Sequence, residues 1–175
     1  TAWLNYAAFQ NPDFATTNDW CIGGWFRATD VTTVQMLVAR DDGSGTSQRG
    51  FEIYLSAGNL LFDIFTNNVT GAASLVGSQS LSVNTYVFVF GYMRTSGTLG
   101  LWTATTNAAG FNMDSLAFPP NNQDWSTNSN LTFGRRGYPT FENYFDGLLD
   151  EWFYYRRVIS SNEVWNIFSN KKSYP

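Results

Sequence analysis

The stretch from Phe145 to Arg157 constrains the fold of this chain more than any other. It opens on Asp146-Gly147, a dipeptide typical of a turn. It continues through closely spaced apolar and aromatic side chains, which favour a pleated strand. Ser160 and Glu163 then stand three residues apart at the start of an amphipathic run, the spacing of a helix-capping box. The sequence therefore predicts a turn, a long strand and one short helix at this end of the domain.

This stretch resembles the signature that closes concanavalin-like, laminin-G-like jelly-roll domains. The matching positions are Asp146-Gly147-Leu148-Leu149-Asp150-Glu151, Tyr155, Arg157, Ser160 and Glu163. Trp152 and Phe153 depart from the family pattern, which has a small aliphatic and a polar residue there. Further family-like segments follow in order from Tyr6 to Phe168. The resemblance implies an all-β fold, a two-sheet antiparallel jelly-roll sandwich with one short C-terminal helix, built as a single domain over residues 1–175.

The composition agrees with a β fold that has many turns. Aromatic residues make up 18% of the chain and charged residues only 14%, which suits strands rather than disorder. We expect strands over 2–9, 20–27, 33–40, 51–55, 60–65, 81–93, 98–103 and 130–135, a weak one within 70–80, and the terminal strand. Alternation places Met36 and Val38 on one strand face and Leu37 on the other. Residues 107–130 are predicted to form one long irregular loop.

Charge and reactive residues exclude several classes of function. The net charge is −4 and the only lysines are Lys171 and Lys172, which argues against nucleic acid as a partner. No apolar run approaches the length of a membrane span, so we expect no membrane insertion. Cys21, the only cysteine, is predicted to be a buried small hydrophobe. The chain has no histidine, which excludes Ser-His-Asp and Cys-His catalysis and the common zinc sites.

The glutamates do not match a glycosidase pattern. Laminarinase-like glycoside hydrolases of this fold carry their two catalytic carboxylates in an E-x-D-x-x-E spacing on one strand. The four glutamates here are Glu52, Glu142, Glu151 and Glu163, and none has that spacing. Glu52 and Asp63 face each other across a predicted hairpin, which a solvated strand face explains. We therefore predict that the protein is not an enzyme.

The family resemblance implies a structural calcium ion held partly by Asp150. Alternation puts Asp150 on the same face as Trp152 and Tyr154, so an acid at the edge of the core would need a cation or hydrogen-bond donors. Capping by backbone N–H groups or an arginine is the alternative. Asp41-Asp42-Gly43 also has calcium-like composition, but an Asp-Gly turn needs no metal.

A ligand surface is predicted in the long loops. Trp125, Tyr138 and Phe141 lie outside the strand pattern, and sugars bind to aromatic side chains flanked by polar groups. The polar candidates beside them are Asn122, Asp124, Asn128, Arg135 and Arg136. The alternative for Trp125 is that it folds down to close a loop over the sandwich edge.

Both faces of the terminal strand are apolar, with Trp152 and Tyr154 on one side and Leu149, Phe153 and Tyr155 on the other. One face of a two-layer sandwich should be wet. The outer face is therefore expected to be covered, by a loop, the helix or a partner, and cover from within the chain is favoured.

These observations favour a non-catalytic extracellular binding module that recognises a glycan or glycoprotein surface, either as a lectin or as an adhesive domain. We expect it in a secreted protein, at a cell surface or on a virion. The second hypothesis is a structural domain, such as a virion surface or decoration protein, that packs as a homo-oligomer or larger assembly. The third is a glycoside hydrolase of the same fold.

Overall fold

The chain folds as two stacked antiparallel sheets. The computed structural model describes residues 18–41, 50–65, 73–118, 130–136 and 143–171. In chain order the elements are β1 (Trp20–Ala28), β2 (Gln35–Asp41), β3 (Gly50–Ser56), β4 (Asn59–Phe65), β5 (Ala73–Val76), β6 (Tyr86–Arg94), β7 (Thr98–Thr105), β8 (Asn112–Ala117), β9 (Thr132–Phe133), β10 (Gly147–Tyr155) and α1 (Ser161–Lys171). The first sheet has the order β10-β1-β6-β7-β8 and the second β5-β4-β3-β2-β9. The predicted jelly-roll sandwich with one short C-terminal helix is confirmed.

The β3–β4 hairpin shows why the sequence folds this way locally. Phe51, Ile53 and Leu55 all point into the core between the sheets. The turn residues Ala57 and Gly58 both have positive φ, 49° and 82°. Such two-residue turns match the right-handed twist of paired strands, so the predicted hairpin closes tightly. The predicted first strand, over residues 2–9, lies outside the described residues.

The structure corrects the prediction that residues 107–130 form one irregular loop. β8 lies within that segment and pairs with β7 at the end of the first sheet. Asp114 of β8 also accepts a hydrogen bond of 2.8 Å from the backbone N–H of Ser78. Most side chains of β8 are exposed, so this strand has no hydrophobic alternation from which it could be predicted.

A β-bulge in β2 reverses the side-chain directions expected from strict alternation. The register shifts between Met36 and Val38, so Met36 pairs with Tyr54 on the outer face. Leu37 and Val38 both pack into the core. The prediction that Met36 and Val38 share a face is therefore wrong, because a bulge adds one residue to one strand of the pair.

A second bulge lies in β10. Trp25 pairs with Asp150 and Gly23 with Phe153, so the bulge holds Glu151, whose φ is 51°. Asp150 therefore lies on the same sheet face as Phe153. Trp152, Tyr154 and Leu149 all pack against the core between the sheets. The expected grouping of Asp150 with Trp152 and Tyr154, and of Leu149 with Phe153 and Tyr155, is wrong for the same physical reason.

A second apolar cluster covers the outside of the first sheet. Helix α1 brings Phe168 against Trp25, with ring centroids 5.4 Å apart and nearly parallel. Phe153 of β10 stacks on Phe88 at 6.3 Å within the same cluster. Residues of this chain therefore cover the outer face of the terminal strand at Phe153, which confirms the favoured alternative of cover from within the chain.

Candidate functional site

The outer face of the second sheet carries polar side chains that contact one another. Because Ile53 and Phe62 point into the core, their neighbours Glu52 and Asp63 point outward. The hairpin register places Glu52 directly opposite Asp63, as the sequence predicts.

An ion pair occupies the β9 end of this face. Arg136 Nε lies 2.9 Å from Glu52 Oε1. Glu52 is only 4% exposed, so the interpretation of this pair of acids as a solvated strand face is wrong for Glu52. A carboxylate at that depth needs a partner, because removing one member of a buried pair leaves an uncompensated charge. Glu52 and Arg136 therefore form an internal contact that fixes this end of the face.

A second polar pair lies beside the first. The Tyr54 hydroxyl donates a hydrogen bond of 2.7 Å to Asp63 Oδ2. Burial, and then the hydrogen bond to Asp63, raise the pKa of Tyr54 well above its ordinary value. The phenol therefore stays protonated and its hydrogen stays directed at Asp63.

The part of this face nearest β5 is open to solvent. Cross-strand pairing aligns Tyr54 with Leu61 and Val76, and Asp63 with Ser74. Val76 is 51% exposed, and Tyr54, Leu61 and Asp63 are half-buried. We call these five residues the open patch. It combines one aromatic ring, two aliphatic side chains and polar groups, a mixture of side chains that also lines small-ligand sites.

The structure places only two of the eight predicted ligand-binding residues. Arg136 lies at the end of the polar face, and Arg135, 4% exposed, is buried beside it in sequence. The other six lie outside the described residues: Asn122, Asp124, Trp125, Asn128, Tyr138 and Phe141. In the sequence these six residues belong to the segments on either side of residues 130–136.

Sequence reasoning missed Tyr54 as a site residue. The alternation of Glu52 and Tyr54 with apolar residues indicates only a half-buried strand. The usable signal was the spacing of Tyr54 and Asp63 on either side of a two-residue turn, which places them within reach on one face.

Asp150 does not lie at the edge of the core, the position that the calcium prediction assumed. Asp150 is exposed and lies on the outer face of the first sheet opposite Trp25, not at the edge of the core. Among the described residues no three His, Cys, Asp or Glu side chains come together as a metal site. Residues 42 and 43 of the second calcium-like segment lie outside them. Calcium through Asp150 stays a prediction, and a melting temperature unchanged by a chelator would contradict it.

Cys21 is buried, as predicted. Its thiol donates to the carbonyl oxygen of Arg157 at 3.1 Å, and burial raises its pKa to about 11. A thiol with so high a pKa is not a nucleophile at neutral pH.

A family model described as the concanavalin A-like lectin/glucanases superfamily matches residues 4–165. The chain belongs to this superfamily. A search of curated proteins finds no match.

Three solved structures of similar fold come from a sialidase, a mosquitocidal protein and a laminin chain. The carbohydrate-binding module CBM40 of the Ruminococcus gnavus IT-sialidase, bound to α2,3-sialyllactose, has a TM-score of 0.69 at 16% identity, over 86% of this chain and 82% of that one. The binding domain of Paraclostridial mosquitocidal protein 1 has a TM-score of 0.61 at 18% identity, over 90% of this chain and 38% of that one. The LG1-3 region of the laminin α2 chain has a TM-score of 0.65 at 13% identity, over 93% of this chain and 30% of that one. At these identities the likeness shows a shared fold.

Across the described residues, no helix is both long and apolar enough to cross a membrane.

Proposed function

We propose that this domain is a non-catalytic glycan-binding module of the superfamily, and that it binds through the outer face of the second sheet. It acts outside the cell or at a surface, as part of a secreted or surface-displayed protein. The partner is a glycan or glycoprotein surface.

The single observation that carries this proposal is the open patch beside its ordered polar pair. Tyr54 presents a half-buried ring in one cross-strand row with Leu61 and Val76, and Asp63 holds its hydroxyl in one direction. Sugars present both apolar C–H faces and hydroxyl groups, so an aromatic ring with fixed polar neighbours suits them. Among the similar structures, the module bound to sialyllactose supports a glycan as the general class of ligand.

The acids on this face support binding over catalysis. Glu52 is enclosed and engaged by Arg136, and Asp63 accepts a hydrogen bond from Tyr54. A glycosidase needs one carboxyl group able to donate a proton and a second able to attack the sugar or activate water. The paired state of Glu52 disfavours either role.

A glycan array with the wild-type domain tests the proposal. We expect binding to at least one glycan class that soluble sugar competes away. Binding to none of the array would contradict the proposed function. Arg136→Ala is a poor probe here, because it would strand the buried Glu52 carboxylate and destabilise the fold.

A further inference from the structure

The open patch offers hydrogen-bond acceptors more than donors. Asp63 is a carboxylate and can only accept. Tyr54 has committed its one hydroxyl hydrogen to Asp63 at 2.7 Å, so toward a ligand its oxygen can only accept as well. Ser74 is the only group of the patch that can donate from its side chain.

The charge of the patch is negative, in keeping with its excess of hydrogen-bond acceptors. Asp63 forms no ion pair in the part of the chain that the structure describes, and its Oδ1 is enclosed there without a hydrogen-bond partner. Arg136, a cation on this face, is engaged by Glu52 at 2.9 Å. The five residues of the open patch therefore include one acidic side chain and no cation.

We infer that the patch selects glycans through their donor groups, so that it binds neutral or amino sugars and discriminates against acidic ones. This inference rests on the proposed function. A neutral sugar offers hydroxyl hydrogens, and an amino sugar an ammonium group, to the hydroxyl oxygen of Tyr54 beside the negative charge of Asp63. The carboxylate of a sialic acid, or a sulfate, brings further acceptors and a like charge. Asp63 is then the specificity-determining residue, acting both through its charge and by positioning the Tyr54 hydroxyl.

The raised pKa of Tyr54 agrees with this assignment. Burial and Asp63 keep the phenol protonated, so the direction of its hydrogen bond does not change at physiological pH.

The test uses an array of matched glycans, each present with and without a terminal sialic acid, together with free-amine glucosamine oligosaccharides. For the wild type we expect the uncharged member of a pair, or the amino sugar, to bind at least about tenfold more tightly than the sialylated member. Asp63→Asn should reduce that ratio several-fold. Tyr54→Phe, which removes one ligand contact, should weaken the uncharged member by about two- to tenfold. Asp146→Asn removes an acidic side chain outside the patch and should leave the ratio unchanged.

The outcomes separate the two claims. Binding to no member of any pair would overturn the proposed function and this inference together. A sialylated member bound as tightly as its uncharged partner, or a ratio that Asp63→Asn leaves unchanged, would overturn only this inference. The melting temperature of each variant shows that it is folded.

Discussion

At the scale of single residues, Glu163 shows how an exposed side chain can organise an element boundary. Its Oε2 accepts hydrogen bonds from the backbone N–H and the hydroxyl of Ser160 at 2.8 and 2.9 Å, and its own N–H donates to Ser160 Oγ at 3.3 Å. Arg157 donates two more hydrogen bonds to the same carboxylate. The capping box was predictable from its three-residue spacing. The contact with Arg157 was not predictable from the sequence, because it depends on where the chain leaves β10 and enters helix α1.

Replacing Glu163 with Gln should lower the melting temperature at pH 7. Hydrogen bonds from Arg157, then from Ser160, hold the pKa of Glu163 at about 2, below the value of about 4.3 for an unfolded glutamate. A pKa lowered by folding contributes stability that is complete above the unfolded value and is lost as pH falls through the folded one. Melts at pH 7, 4 and 2 should therefore show the gap between wild type and Glu163→Gln closing as the pH falls. A gap as wide at pH 2 as at pH 7 would contradict this mechanism.

At the scale of elements, β1 and β10 fit one another through adjacent glycines and adjacent aromatics. A Cβ added to Gly24 would lie 2.7 Å from the ring of Trp152. One added to Gly23 would lie 2.8 Å from the Phe153 ring and 2.6 Å from the carbonyl oxygen of Val89. The two aromatics that depart from the family pattern thus occupy space that two glycines leave, one on each face of the sheet.

This packing predicts that a smaller side chain at position 152 relieves the destabilisation caused by an alanine at position 24. Gly24→Ala should destabilise the domain by about 1–3 kcal/mol through overpacking. In the background of Trp152→Val, which restores a small aliphatic residue, the same alanine should cost much less. Gly23→Ala is the matched control, because its clash with a backbone oxygen would persist after Phe153→Leu. Urea unfolding of the wild type and of the single and double variants measures the coupling energy of each pair. If the effects of Gly24→Ala and Trp152→Val were additive, contact with Trp152 would not be the cause of the destabilisation.

The elements also show where sequence reasoning succeeds and where it stops. Alternation identifies the β3–β4 hairpin because both strands keep one face in the core. It fails at the bulges near Leu37 and Glu151, since one extra residue reverses every later side chain and leaves no mark in the apolar pattern. It also misses β8, whose exposed side chains resemble those of a loop.

At the scale of the whole molecule, the two outer faces of the sandwich differ in what covers them. Helix α1 and the aromatics of the first sheet form a second apolar cluster that encloses Phe88, Phe90 and Phe168. The outer face of the second sheet instead carries the polar pairs and the open patch. The sequence predicted that the first of these faces is covered, from the excess of aromatics in β10. It did not locate the patch, because that depends on which strands become neighbours.

Phe168→Ala tests whether helix α1 stabilises the outer face of the first sheet. The side chain is fully buried and stacks on Trp25, so its loss should cost about 3–5 kcal/mol of unfolding free energy. Trp165→Ala, on the same helix but half-buried, should cost less. Chemical unfolding measures both. A change below 1 kcal/mol for Phe168→Ala would show that the helix does not stabilise this face.

The most direct test of glycan binding at the second sheet is a titration with two matched arginine variants. Val76 is 51% exposed in the open patch, and Met113 is 57% exposed on β8 of the first sheet. Both lie on terminal strands of their sheets, so each arginine adds the same bulk and charge to an equivalent setting. Calorimetric titration with the glycan that the array identifies should show Val76→Arg weakening affinity at least about tenfold, about 1.4 kcal/mol, while Met113→Arg keeps the wild-type value. Unchanged affinity for Val76→Arg, or a loss confined to Met113→Arg, would contradict binding at this face.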